Sequence, residues 1–233
     1  MWVILINDFK VVFRAPALRV FFFIPFLFIA LVNGFFPYLC ERYPVVQDYM
    51  AYFLMGATVQ TSTMFGFIYS MIFIDEKDTQ VAKVYGILPV SKTVHLLGRL
   101  SIPFIVATFF TWLMLQFQPF YALSIWGNLM IAFLSAFLAP FIALGVALIA
   151  RNKVEGMTWL KVFNTPVIAP IGAFFLSPAY QFLFGILPTH WSFQALNDLI
   201  LQNSYALNWS IGLLYYLLLL TGMIRLFVRR HYI

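Results

Sequence analysis

Thirteen of the fourteen Lys and Arg residues of this chain fall in four short islands, and Arg42 alone lies outside them. The islands are Lys10/Arg14/Arg19, Lys77/Lys83/Lys92/Arg99, Arg151/Lys153/Lys161 and Arg225/Arg229/Arg230. Between them run stretches with no Asp, Glu, Lys or Arg, at 20–40, 49–74, 100–150, 162–197 and 199–224. A helix crossing the hydrocarbon of a bilayer needs about 20 apolar residues. The stretch 100–150 is therefore two spans, broken near Gln116, Gln118 and Pro119, with Tyr121 and Trp126 as interface anchors. Six spans are predicted, at 20–38, 50–74, 101–118, 127–149, 160–176 and 208–228. Lys and Arg are retained on the cytoplasmic side, so both chain ends are expected there.

Composition leaves little room for a soluble fold. Hydrophobic residues make up 63% of the chain and charged residues 9%, against roughly 45–50% and about 25% in soluble domains. A 233-residue globule could not bury so much Phe, Leu and Ile, so lipid is part of the solvent. The net charge of +6 follows from the cytoplasmic bias and does not call for nucleic acid. Asp8, Lys10, Arg14 and Arg19 interrupt the first apolar stretch, unlike a cleavable signal peptide. Cys40 is the only cysteine, which excludes an internal disulfide and a Cys-based metal site. His95, His190 and His231 fit no metal spacing.

Three segments are expected not to span. Residues 1–19 carry Asn7, Lys10 and Arg14 at helical spacing opposite an apolar face, as an interfacial amphipathic helix does, and Pro16 separates them from the first span. In 177–203, Ser177-Pro178 should stop the fifth span, because proline blocks helix continuation. Leu187-Pro188-Thr189-His190-Trp191 then reads as a turn, and 191–203 as a short helix with Ala195, Leu196, Leu199 and Ile200 on one face. This is an outward-facing re-entrant or interfacial element. The third segment, 75–99, is the longest cytoplasmic connection. It has helix-compatible stretches at 80–87 and 92–99 around Leu88-Pro89-Val90-Ser91, and Ser91 can cap the second.

The chain lacks a Gly-x-x-x-x-Gly-Lys-Ser/Thr loop, so it has no P-loop ATP site of its own. It also lacks His-Glu-x-x-His and Gly-x-Ser-x-Gly, the signatures of zinc proteases and serine hydrolases. No ionisable residue lies well inside a predicted span, where one would mark ion or proton coupling. A substrate path would be lined by neutral groups. Gln60, Thr61, Ser62 and Thr63 in the second span, with Asn164 and Thr165 in the fifth, are the candidates. Asn33 and Asn128 are further polar groups in the first and fourth spans. Helix–helix hydrogen bonding is the alternative role for any of them. Four polar residues in a row, at 60–63, must face more than one direction.

These features together resemble the permease subunit of an ABC-2 type ABC exporter. That family has an N-terminal elbow helix, six spans, a coupling helix between the second and third, and an outer re-entrant element before the sixth. The local match runs from Glu76 to Ser91. Glu76, Lys77, Asp78, Pro89, Val90 and Ser91 fit the family's spacing. Gln80 and Val81 stand where Gly-Thr is usual, and Lys83 where Glu is common. Lys153-Val154-Glu155-Gly156, the Pro-rich fifth span and Leu187-Pro188-Thr189-His190-Trp191 are similar to the small permeases of the fluoroquinolone-export group.

The resemblance implies an all-α integral membrane domain over 1–233 in a bacterial cytoplasmic membrane. It implies a separate cytoplasmic ATPase subunit that holds ATP and Mg, none being bound by this chain, and a second permease copy, identical or related. Glu76, Lys77, Asp78, Lys83, Pro89, Val90 and Ser91 would couple to the ATPase. The substrate would be drug-like, lipidic or otherwise amphipathic, and this chain a transporter subunit rather than an enzyme. The alternatives from other classes are a non-transporting membrane anchor or assembly protein and a membrane-embedded lipid-modifying enzyme. The latter would draw on Glu41, Asp48, His190 and Asp198.

Overall fold

The computed structural model describes residues 10–81 and 91–231. Residues 1–9 of the predicted elbow, and Lys83, Pro89 and Val90 of the coupling segment, lie outside the described residues. Among those described, the chain is helical throughout and contains no strand. Hydrocarbon offers no partner for a peptide group, so a spanning segment must satisfy its backbone within itself. Among the described residues, five helices are long and apolar enough to cross a membrane: Leu18–Arg42, Pro44–Asp78, Lys92–Phe117, Ile125–Ile149 and Ala206–Arg230.

The first of these begins after a bend at Ala15, where the helical turn at 10–14 gives way to α1, Pro16–Ala30. Pro16 occupies the first turn, where a missing N–H costs nothing. The span then passes through one π turn, Leu31–Phe35, into α2, Phe36–Arg42. Pro37 explains the π turn. It cannot donate to the carbonyl four residues back, and the N–H of Phe36 bonds instead to the carbonyl of Leu31.

A 3-10 turn, Pro44–Tyr49, leads into α3, Met50–Asp78, the central helix of the bundle. Its most apolar stretch is buried throughout, whereas the first and last spans are mostly exposed to the surroundings of the bundle. The helix α4, Lys92–Phe117, is unbroken through the buried Pro103. The predicted separate stretch at 92–99 is thus the first two turns of the third span. Ser91 stands at its N-cap, but its side chain makes no capping bond. That corrects the expectation that Ser91 caps this helix.

Gln118 builds the turn that follows. Its Oε1 accepts from the N–H groups of Phe120 (2.8 Å) and Tyr121 (2.9 Å), so the break near Gln116, Gln118 and Pro119 is where it was expected. Ser124 caps α5, Ile125–Ala136, by accepting from Gly127 N at 3.0 Å. The fourth span is interrupted at Phe137 and continues as α6, Leu138–Ile149. Pro140, which cannot donate to the carbonyl of Ala136, accounts for the interruption.

The helix α7, Lys153–Ile168, opens on a reciprocal cap. Asn152 Oδ1 accepts from Glu155 N at 2.9 Å, and Glu155 Oε2 accepts from Arg151 N at 2.8 Å. It tightens into a 3-10 segment, Ala169–Phe175. The span predicted at 160–176 falls here and is not among the five long apolar helices. Lys161, Asn164 and Thr165 dilute its apolar character, and Pro166 and Pro170 remove two backbone donors.

Beyond it come the short α8, Pro178–Gln181, a 3-10 turn, Phe182–Ile186, and α9, Pro188–Ile200. Helix α9 starts three residues before the predicted 191, because Pro188 fits the first helical position rather than a turn. It buries Ala195, Leu196 and Leu199 and ends where Gln202 turns left-handed, at φ 58°. The last helix is α10, Ala206–His231.

Candidate functional site

The central helix α3 crosses two neighbours through polar side chains, at two depths. Near its C-terminal end Arg99 Nη1 of α4 donates to Glu76 Oε2 at 2.7 Å. The arginine is 1% exposed and Glu76 9%. The guanidinium also lies over the Phe73 ring, 4.9 Å from its centroid, and Phe73 packs on Phe227 of α10 at 5.2 Å. Two charges so buried are tolerated only when paired and hydrogen-bonded.

The pair sits at the base of the predicted coupling segment, joining the helix that enters it to the helix that leaves it. Lys77 and Asp78, one and two residues on, are exposed. Asp75 forms a surface ion pair with Lys153 of α7 at 2.5 Å. Lys77 and Arg230 line one small hollow, and Thr93 and Arg225 share another. Residues of the second, third and fourth basic islands thus gather at one end of the bundle. Helix α3 stops at Thr79, and Gln80 adopts φ 63°, the left-handed region where a side chain costs about 1–2 kcal/mol relative to glycine.

About four turns deeper, Gln60 Nε2 donates to Asn164 Oδ1 of α7 at 2.8 Å. The other predicted path residues diverge from this bond. Thr61, Ser62 and Thr63 are buried, and their hydroxyls donate to the carbonyls of Ala57, Thr58 and Val59 in their own helix. Thr165 is exposed and donates to Lys161 O. Only Gln60 among them reaches a cleft of about 610 Å³ between α1 with its π turn, α3 and the 3-10 segment after α7. The cleft walls are aromatic, with Phe28, Phe36, Tyr52, Phe53 and Phe175 on them. Gln60 is the one amide that lines it. A pocket of several hundred Å³ with apolar walls and one or two placed polar groups is the usual form of a small-molecule site.

Sequence reasoning passed over Arg99 as a partner, and over the aromatic wall. Arg99 was visible as the last cation before an uncharged run, 23 residues after Glu76, the second carboxylate that follows the second span. Nothing in the sequence tied Phe28 to Tyr52 and Phe175. Their meeting depends on how three helices cross.

The family described as fluoroquinolones export permease protein Rv2686c-like matches residues 8–224 of this chain. No curated protein and no solved structure matches it.

Proposed function

The chain belongs to the Rv2686c-like family of fluoroquinolone export permeases, and from that premise we propose that it is the membrane subunit of an ABC-2 type exporter driven by a separate ATPase. A membrane-embedded export component without a P-loop needs an energy source outside itself. Segment 75–99 is the docking element, on the cytoplasmic side by its basic residues. Two copies form the path, with α1, α3 and the helical stretch 153–175 facing it, the last acting as the sixth crossing. The aromatic cleft beside Gln60 receives planar amphipathic molecules of the fluoroquinolone kind.

The observation that carries this reading is the buried Glu76–Arg99 pair. It fastens the two legs of the docking segment to each other, so a push on the segment moves α3 and α4 together as a rigid body. Exposed Lys77 and Asp78 are then the contact residues at this end. Glu76, turned inward, transmits force rather than touching the ATPase.

Reconstitution with the ATPase tests the division of roles. Lys77→Ala with Asp78→Ala should weaken complex formation. Glu76→Gln should leave the complex intact and lower ATP-driven transport per ATP hydrolysed. Full transport in both variants, with unchanged complex formation, would remove the coupling assignment.

A further inference from the structure

A second cleft, of about 570 Å³, opens between α4, the α5–α6 span and α10. It differs from the first in being charged at one end. Thr93 and Arg225 line it at the end of the bundle that carries the basic residues, and Phe104, Phe133 and Leu217 line it far from that end. Leu217 and Arg225 are eight helical residues apart, about 12 Å at ~1.5 Å per residue. Thr93 and Phe104 are eleven apart, about 16 Å. Half of a hydrocarbon core ~30 Å thick is about 15 Å. The cleft therefore runs the depth of one leaflet.

Its polarity is graded along that depth. Ser101 and Thr221 also line it, but their hydroxyls donate to Gly98 O and Leu217 O of their own helices, each at 2.7 Å. Arg225 is exposed and makes no ion pair among the described residues. The last helix, Ala206–His231, carries Arg225, Arg229 and Arg230 and no Asp or Glu. A guanidinium at one end of a slot walled mainly by apolar side chains matches a phosphate joined to an acyl chain.

We propose that this cleft is a binding site for an anionic phospholipid of the leaflet on the basic side. Arg225 and Thr93 hold the phosphate, and one acyl chain fills the slot between α4 and α10. The aromatic cleft beside Gln60 lacks a cation and is not such a site. The proposal stands independently of whether an ATPase drives the chain.

The test uses the full-length protein in a neutral detergent, titrated with dioleoyl-phosphatidylglycerol or dioleoyl-phosphatidylcholine while the melting midpoint is followed. A ligand of the native state raises that midpoint with concentration. Phosphatidylglycerol should raise it, and phosphatidylcholine with the same chains should not. Arg225→Gln should raise the half-saturating phosphatidylglycerol concentration about tenfold, the loss of one charged hydrogen-bonded contact, and Arg225→Lys should restore part of it. Leu97 of α4 also lines the cleft; Leu97→Trp, which fills the slot, should abolish the response, and Arg229→Gln, outside the cleft, should keep it.

An equal response to both lipids overturns the proposal, as does an equal loss in the Arg225 and Arg229 variants. A wild-type protein that copurifies with no more phosphatidylglycerol than the bulk membrane ratio overturns it without any variant. So does disulfide linking of two copies through Leu97→Cys in a Cys40→Ser background, since protein would then cover the cleft.

Discussion

The two polar crossings of α3 differ in charge and in depth. The crossing near its C-terminal end is an ion pair, Glu76 with Arg99, sealed by Phe73. The crossing in its middle is a neutral amide bond, Gln60 with Asn164. Placing a lone charge at the centre of a bilayer costs roughly 2.5–3.5 kcal/mol or more. An amide pair there costs far less and returns about 0.6 kcal/mol on average. The ionic crossing can therefore act as a rigid fastening. The neutral one can be broken and remade at small cost, as a group lining a path requires.

That contrast sets the order of expected effects. Arg99→Ala removes the buried ion pair with Glu76 and should destabilise the protein by up to about 3–5 kcal/mol, whereas Arg99→Met with Glu76→Leu together should come near neutral. Melting midpoints of the wild type, Arg99→Ala and the double variant decide the point. A small loss for Arg99→Ala would show that the pair is solvated and not a fastening.

Between the crossings, Gly66 lets α3 approach α6. A Cβ there would collide with the carbonyl oxygen of Ala139 and lie 2.9 Å from Ile142 Cβ. Gly66→Ala should cost about 1–3 kcal/mol by overpacking. Gly222→Ala, which meets nothing within 4 Å, should instead gain up to about 1 kcal/mol from helix propensity. Thermal unfolding of the two variants side by side checks this. At the ionic end, Gln80→Gly should stabilise by about 1 kcal/mol, because glycine relieves the left-handed backbone at φ 63°. Hydrogen exchange at Thr79 and Gln80 would register it as slower opening.

At the neutral crossing, Gln60→Leu should cost only about 0.6 kcal/mol while altering which substrates are carried, read as transport rates for neutral and cationic aromatic compounds. The smallest effect concerns pH. Burial holds His190 of α9 below its ordinary 6.5, so the native ring stays neutral where the unfolded chain already takes up a proton. The stability this contributes is complete above pH 6.5 and is lost as pH falls from there through the lowered native value. The melting midpoint should drop below pH 6.5 in the wild type and drop less in His190→Gln.

Membership of the bundle was legible in the sequence because it depends on local quantities. Runs without charge, the basic islands and the prolines located Leu18–Arg42, Pro44–Asp78, Lys92–Phe117, Ile125–Ile149 and Ala206–Arg230 to within a few residues, except at 44–49 and 92–99. The Gln118 turn and the break before α8 were legible for the same reason. Gln60 and Asn164 were visible as polar residues in apolar surroundings, but not as partners to each other. The stretch at 160–176 was read as an ordinary span. Its prolines and Lys161 gave the warning, but hydropathy averages over them.

What the sequence alone determined is that this chain must live in lipid and that it resembles an export permease. The first follows from transfer free energies that each residue carries wherever it sits, and the second from the spacing of particular residues, Glu76 to Ser91 above all. The tertiary structure decided which polar residues point inward together. It turned Glu76 to Arg99 rather than outward, and Thr61, Ser62 and Thr63 back onto their own helix. It also assembled two clefts of similar size and opposite character. Those outcomes depend on helix rotation and crossing, which side chains fix only once they pack against one another.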